Sequence, residues 1–223
     1  NPSLPAIPLF TLAGYFLAES GSPRRLIELF DALFGRYRGG PAVATVLACT
    51  FFTSFTGASG VAILAIGGLA MPLLLAAGYS GRPALGLVTG GGLPGVLLFP
   101  AMPLILYAIV ARTSIEAMFV GGFLPTLIML GIALWWGTRQ APRHTGPGRR
   151  FDGGRVVRAL WSAKWDLSLP VVPLGVLLAG LATPVEAAAA TALWAFTIAA
   201  VIHRDIGVLR DAPRIMTECG LLV

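Results

Sequence analysis

The sequence predicts an all-α polytopic membrane protein whose transmembrane helices are joined by a re-entrant helical hairpin and an unwound helix. Three observations predict it. The chain has 223 residues, of which 56% are hydrophobic and only 12% charged, with a mean hydropathy of +0.81; a soluble domain averages about 25% charged residues. The charges fall between the apolar runs. The net charge of +6 is therefore read as a set of topology signals and not as a nucleic-acid footprint. Third, Phe51-Phe52-Thr53-Ser54-Phe55-Thr56-Gly57-Ala58-Ser59-Gly60-Val61 sets Thr, Ser and Gly in the middle of an apolar run from Pro41 to Tyr79. A plain membrane helix has no use for such a centre. A chain that dips into the bilayer and turns back does, because the turn frees backbone groups that need protein, ion or water partners. Broken helices of this kind carry the substrate and ion sites of secondary transporters.

Residues 1–40 read as a membrane helix followed by an amphipathic interfacial helix. Leu4 to Ala18 is nearly all apolar, short against the roughly 20 residues that a spanning helix needs. From Pro23 to Arg38, Leu26, Leu29, Phe30, Leu33 and Phe34 recur at helical spacing. Arg24, Arg25, Glu28 and Asp31 take the other face, a pattern that fits a helix lying at the interface and equally a connector helix packed on the protein. Gly39-Gly40-Pro41 ends that helix. Residues 41–79 form the hairpin, with arms Pro41 to about Phe55 and about Val61 to Ala77, and a non-helical tip at 54–60. In 80–137 the stretch Pro83 to Ala111 holds Gly90-Gly91-Gly92-Leu93-Pro94-Gly95, then Pro100 and Pro103. That density of Gly and Pro forbids one continuous helix, so a spanning helix unwound in the middle is expected. Glu116 to Gly137 is a clean span ending on the interfacial anchor Trp135-Trp136.

Residues 138–165 are expected to form a basic cytoplasmic loop: Arg139, Arg143, Arg149, Arg150, Arg155, Arg158 and Lys164 face Asp152 alone. Residues 166–223 give two more transmembrane helices and the start of a further segment. Thr183 suits an N-cap, Pro184 the first helical position and Glu186 the third place of a capping box. The cap reading of Glu186 outweighs that of a buried functional carboxylate. The positive-inside rule puts the basic loops on the cytoplasmic side. Two full crossings in 41–79 would give the same parity, and the Thr/Ser/Gly centre favours the hairpin. Cys49 and Cys219 suggest neither a disulfide framework nor a metal pattern. The ends read as cut, so the chain is expected to be a piece of a longer protein.

Enzyme constellations are missing from the sequence. No glycine loop with a following Lys-Ser or Lys-Thr is present to cradle a nucleotide. His144 and His203 are too far apart in sequence to suggest a metal pair, so no transition-metal site and no cofactor are expected. No span holds a central Asp, Lys or Arg, against an intramembrane proton relay. What remains is backbone carbonyls, hydroxyls and helix termini. These suit a hard cation such as sodium at free carbonyls and an anion at free N–H groups. The expected cation ligands are Ser54, Thr56, Gly57 and Ser59 from the hairpin with Gly91, Gly92 and Gly95 from the broken helix. Ala58, Gly60, Pro94 and Pro100 are expected to face the substrate.

Several segments resemble a known family. They are Thr56-Gly57-Ala58-Ser59-Gly60-Val61, Gly67-Gly68-Leu69-Ala70-Met71-Pro72, Ala77-Gly78-Tyr79, the run from Leu97 through Pro100-Ala101-Met102-Pro103 to Tyr107, and Thr183-Pro184-Val185-Glu186-Ala187-Ala188-Ala189. Pro5 to Gly14 matches an early segment. In order and spacing they resemble the large membrane subunit, DctM type, of tripartite ATP-independent periplasmic (TRAP) transporters, over roughly its first half. The resemblance implies half of an inverted-repeat, elevator-type transporter. It implies sodium-coupled import of organic acids of the C4-dicarboxylate kind across the bacterial or archaeal cytoplasmic (inner) membrane. Its implied partners are a small membrane subunit, a periplasmic substrate-binding protein, the lipid bilayer and the organic-acid substrate, with no nucleic acid. Gly91 and Leu93 stand where Ser is common in the family, and Ala62 where Thr is frequent after the hairpin tip. Backbone carbonyls would then carry more of the ligation. The alternative is a non-transporting structural or assembly subunit with a degenerate site.

Overall fold

The computed structural model describes residues 5–57, 59–98, 100–142, 153–178, 181–208 and 210–222. Every regular element among them is helical. The apolar start forms α1, Ala6–Glu19. Helix α2, Ser22–Phe34, carries Pro23 in its first turn, where a missing N–H removes no intrahelical bond. Gly39 then turns the chain with φ at 87°, and Pro41 stands in the first turn of α3, Gly40–Thr56. Gly57, with φ at 62°, closes α3 by donating its N–H to the Thr53 carbonyl at 2.8 Å. A left-handed cap of this kind is a glycine conformation. Helix α4, Ser59–Ala76, runs back beside α3. The gap between the two is only 57–58, narrower than the expected tip at 54–60: Ser54, Phe55 and Thr56 remain helical. Ala58 lies outside the described residues.

The Gly- and Pro-rich run breaks into three pieces: α5, Gly81–Gly90, a 3-10 segment, Leu93–Leu97, and α6, Met102–Ala111. Helix α7, Ile115–Arg139, follows, with the Ser114 hydroxyl accepting the Ala117 N–H at its start. Helix α8 is Gly153–Leu178, α9 is Pro184–Thr197 continued by a π-helical turn, Ile198–Ile202, and α10 is Asp211–Leu222. The expected loop is therefore shorter than 138–165, because 153–165 form the first half of α8; residues 143–152 lie outside the described residues. The capping box at Thr183 and Glu186 is present, with both reciprocal bonds made. Among the described residues two helices are long and apolar enough to cross a bilayer, Ala117–Arg139 and Pro184–Ile202.

Helix α3 is central. It packs against α1, α2, α4, α5, α7 and the 3-10 segment, and Cys49, Phe52 and Phe55 are buried in that contact. Helix α1 lies along α9, with Phe16 and Phe196 rings 5.2 Å apart. Helix α7 instead exposes Val120, Phe123, Leu124, Leu127, Ile128 and Ile132, a surface suited to hydrocarbon and not to water. Both outer ends of the α3–α4 pair meet the end of α7: Tyr79 donates to the Gly137 carbonyl and Arg38 to the Ala141 carbonyl, each at 3.2 Å.

Two residues of the polar face of α2 meet protein and not water. Arg25 donates through Nε to Asp166 of α8 and through Nη1 to Asp205 after α9, each at 2.8 Å. Asp166 is fully buried and also accepts from the Ser22 hydroxyl at 2.6 Å. Asp31 is 2.8 Å from Arg155 at the start of α8. The polar stripe of α2 thus faces α8 as well as water. A charge that loses water must gain partners, and here the partners come from remote segments.

Candidate functional site

The site begins with one face of α3. Thr50, Thr53 and Ser54 stand at i, i+3 and i+4, neighbours on a helix surface. They meet the stretch where the chain after α5 unwinds. Thr50 donates its hydroxyl to the Gly91 carbonyl at 2.8 Å, which holds the broken segment to the hairpin arm. Approach is close because glycines line it. A Cβ on Gly92 would sit 2.6 Å from Thr53 Oγ1. A Cβ on Gly95 would overlap the Thr50 carbonyl and lie 2.8 Å from Thr53 Cβ.

The hydroxyls of this face differ in state. Ser54 donates to the Phe51 carbonyl at 2.7 Å and Thr56 to the Phe52 carbonyl at 3.2 Å, both within α3. Each keeps oxygen lone pairs to offer. Thr53 Oγ1 is buried without a hydrogen-bond partner, although a buried hydroxyl is ordinarily paired. It lies in the glycine-lined contact between α3 and the 91–97 stretch. Of the last-turn carbonyls of α3, that of Thr53 accepts the Gly57 N–H at 2.8 Å; those after it lie beyond the helix's own ladder. The result is a cluster of neutral oxygens, a donor set suited to a hard cation and unsuited to a transition metal.

The sequence-expected ligands divide. Gly91, Gly92 and Gly95 are packed on α3, and Ser54 is in that contact through its backbone. The contacts fall at 50, 53 and 54, about a turn before the expected hairpin ligands Thr56, Gly57 and Ser59. Among the expected substrate-facing residues, Ala58 lies outside the described residues. Gly60 is exposed, with open space where its side chain would be. Pro94 instead lines an apolar cavity of about 300 Å³ with Leu87, Ile132 and Trp136, and Pro100 is buried in the turn before α6. Thr50 and Thr53, whose side chains meet the glycines, were not among the site residues expected from sequence. The readable signal was their i, i+3 spacing with Ser54, and only the fold shows that this face meets the glycines.

A family model described as "Tripartite ATP-independent periplasmic transporter, DctM component" matches residues 1–221. The chain is 36% identical over 213 residues to the C4-dicarboxylate TRAP transporter large permease protein of Vibrio cholerae, covering 94% of this chain and 46% of the relative. It is 34% identical over 205 residues to the isethionate TRAP transporter permease protein DctMQ of Oleidesulfovibrio alaskensis, covering 90% and 32%. It is 32% identical over 228 residues to the ectoine TRAP transporter large permease protein of Halomonas elongata, covering 99% and 52%. The chain spans about half the length of the large permeases that it matches.

Proposed function

The chain belongs to the DctM component family of tripartite ATP-independent periplasmic transporters, and on that premise we propose that it supplies half of a sodium-coupled membrane transporter for organic acids. In this reading α3 and α4 are a re-entrant hairpin entering and leaving from the cytoplasmic side. A second, inverted half completes the substrate site. The relatives are named for C4-dicarboxylate, isethionate and ectoine, and we assign this chain a C4-dicarboxylate-like acid. A periplasmic binding protein would deliver it and a small membrane subunit would complete the assembly in the inner membrane.

One observation supports the sodium reading above others: the unpartnered hydroxyl of Thr53, buried against the broken helix. Thr53, Thr50, Ser54 and the carbonyls of Gly91, Gly92 and Gly95 would hold the ion. The ion, when bound, would supply positive charge at the end of two broken helices. The chain's own residues hold the two segments together through the bond from Thr50 to Gly91. The test is uptake of radiolabelled succinate into proteoliposomes by the full-length transporter with its binding protein. Uptake should require an inward sodium gradient, and Thr53→Val should raise the half-saturating sodium concentration on the order of tenfold, the effect of losing one polar ligand group. Uptake indifferent to sodium would sink the coupling.

A further inference from the structure

A notch of about 550 Å³ opens between α2 and the first half of α8, lined by Glu28, Arg155, Arg158, Ala159 and Ser162. Its charges are unequally matched. Glu28 is paired with Arg24 at 2.8 Å and Asp31 with Arg155 at 2.8 Å. Arg158, on the same helix face one turn on, donates only to the Gly154 carbonyl of its own helix at 3.2 Å. Among the described residues it has no carboxylate partner, so among them the notch carries one positive charge in excess.

Depth in the membrane follows from α8 itself. It is not among the two described helices apolar enough to cross a bilayer: its uncharged part, 167–178, is about 18 Å long at 1.5 Å per residue, short of the roughly 30 Å hydrocarbon core, so only that end lies in hydrocarbon. From Leu167 to Leu178 its side chains are apolar but for Ser168, whereas Arg155, Arg158, Lys164 and Asp166 crowd the first half. The Lys164 ammonium sits 3.5 Å from the centre of the Trp161 ring and 5.0 Å from that of Trp165. Trp161 is 71% exposed. Tryptophan with a capping ammonium marks the boundary between headgroups and hydrocarbon. Arg158 lies about one helical turn beyond Trp161, on the side away from 167–178, and Val157 and Leu160 are exposed beside it; with Trp161 at the boundary, Arg158 would lie at phosphate level.

We propose that this notch binds the phosphodiester headgroup of an anionic phospholipid. Arg158 and Arg155 would take the phosphate oxygens, while Ser162, whose hydroxyl donates to the Ala159 carbonyl at 2.9 Å, lines the floor of the notch, and the acyl chains would lie along α8 below Trp161. A forked guanidinium suits phosphate better than an ammonium. A bound lipid would join α2 to α8 at the membrane surface.

The test is native mass spectrometry of the full-length protein in neutral detergent, titrated with phosphatidylglycerol, with phosphatidylcholine of the same chains, and with glycerol 1-phosphate. Phosphatidylglycerol should bind more tightly than phosphatidylcholine, and glycerol 1-phosphate should neither bind nor displace it. Arg158→Gln should weaken phosphatidylglycerol about fivefold, equivalent to about 1 kcal/mol for a basic side chain near an anionic surface. Glu28→Gln removes the opposing carboxylate and should tighten it, a gain that misfolding does not produce. Equal binding of the two lipids, indifference to both substitutions, or binding of glycerol 1-phosphate alone would each overturn the proposal.

Discussion

The proposed sodium role of Thr53 can be tested apart from its contribution to stability. Its hydroxyl is buried and unpaired, so replacing it with the isosteric methyl of Val removes no hydrogen bond and relieves a desolvated polar group. Thr53→Val should leave the melting temperature in detergent unchanged or slightly raised while weakening sodium dependence. A marked loss of stability would mean that the hydroxyl has a structural partner after all. The Arg25 cluster behaves in the opposite way. Arg25→Ala leaves the Asp166 carboxylate buried without a counter-charge, a loss of about 3–5 kcal/mol. Arg25→Lys should recover only part of it, because one ammonium does not reproduce the fork between Asp166 and Asp205; full recovery in a denaturation titration would show that charge alone suffices. His203 adds a pH dependence. Burial first, and then the Arg25 guanidinium, push its imidazole below the ordinary value of 6.5, although Asp166 and Asp205 act the other way. A group depressed in the fold gives stability that is full above its unfolded value and lost as pH falls through its folded one. The melting temperature should therefore drop as pH is lowered below about 6.5, and His203→Gln should flatten that slope. An identical slope in the variant would exclude the imidazole as its source. Asp205 acts lower still: burial alone would raise its carboxyl, but the bonds from Arg25 and the Gly21 N–H outweigh that and hold it below its usual range.

Among elements, the joint between α3 and the broken stretch depends on the absence of side chains. Gly95→Ala would drive a Cβ into the Thr50 carbonyl, and overpacking of this kind costs about 1–3 kcal/mol. It would also separate Thr50 from Gly91. Gly60→Ala meets open space at the start of α4 and should be neutral or mildly stabilising, since Ala is the better helix former. Thermal melts of the two variants test this asymmetry; equal effects would show that the contact at Gly95 yields easily. The same packing explains why α5 stops at Gly90. Gly91, Gly92 and Pro94 weaken the helix intrinsically, and the chain instead obtains the Thr50 hydroxyl as partner for a freed carbonyl.

Across the whole molecule, the outer ends of the α3–α4 pair converge on the end of α7 through Tyr79 and Arg38. Tyr37→Cys and Ser80→Cys, at exposed positions on either flank, should therefore react with a membrane-impermeant maleimide from the same side, the cytoplasmic one. Labelling from opposite faces would refute the arrangement. The helical class, the two helices α3 and α4, the interruption in 83–111 and the cap at Thr183 were legible because each rests on local chemistry: hydropathy, glycine and proline density, and a short capping motif. Membership of the family was legible for a similar reason, since its segments keep their order along the chain. Tertiary structure alone decided the rest. Periodicity placed Arg25 and Asp31 on a polar face but gave no view of α8 or the turn after α9, whose carboxylates and arginine replace water there. It marked the hairpin tip as polar, yet the face that meets the broken helix lies a turn earlier, at Thr50 and Thr53. The alternation of apolar and polar residues records only that a side chain leaves or keeps water. Which remote segment receives it depends on how the helices pack.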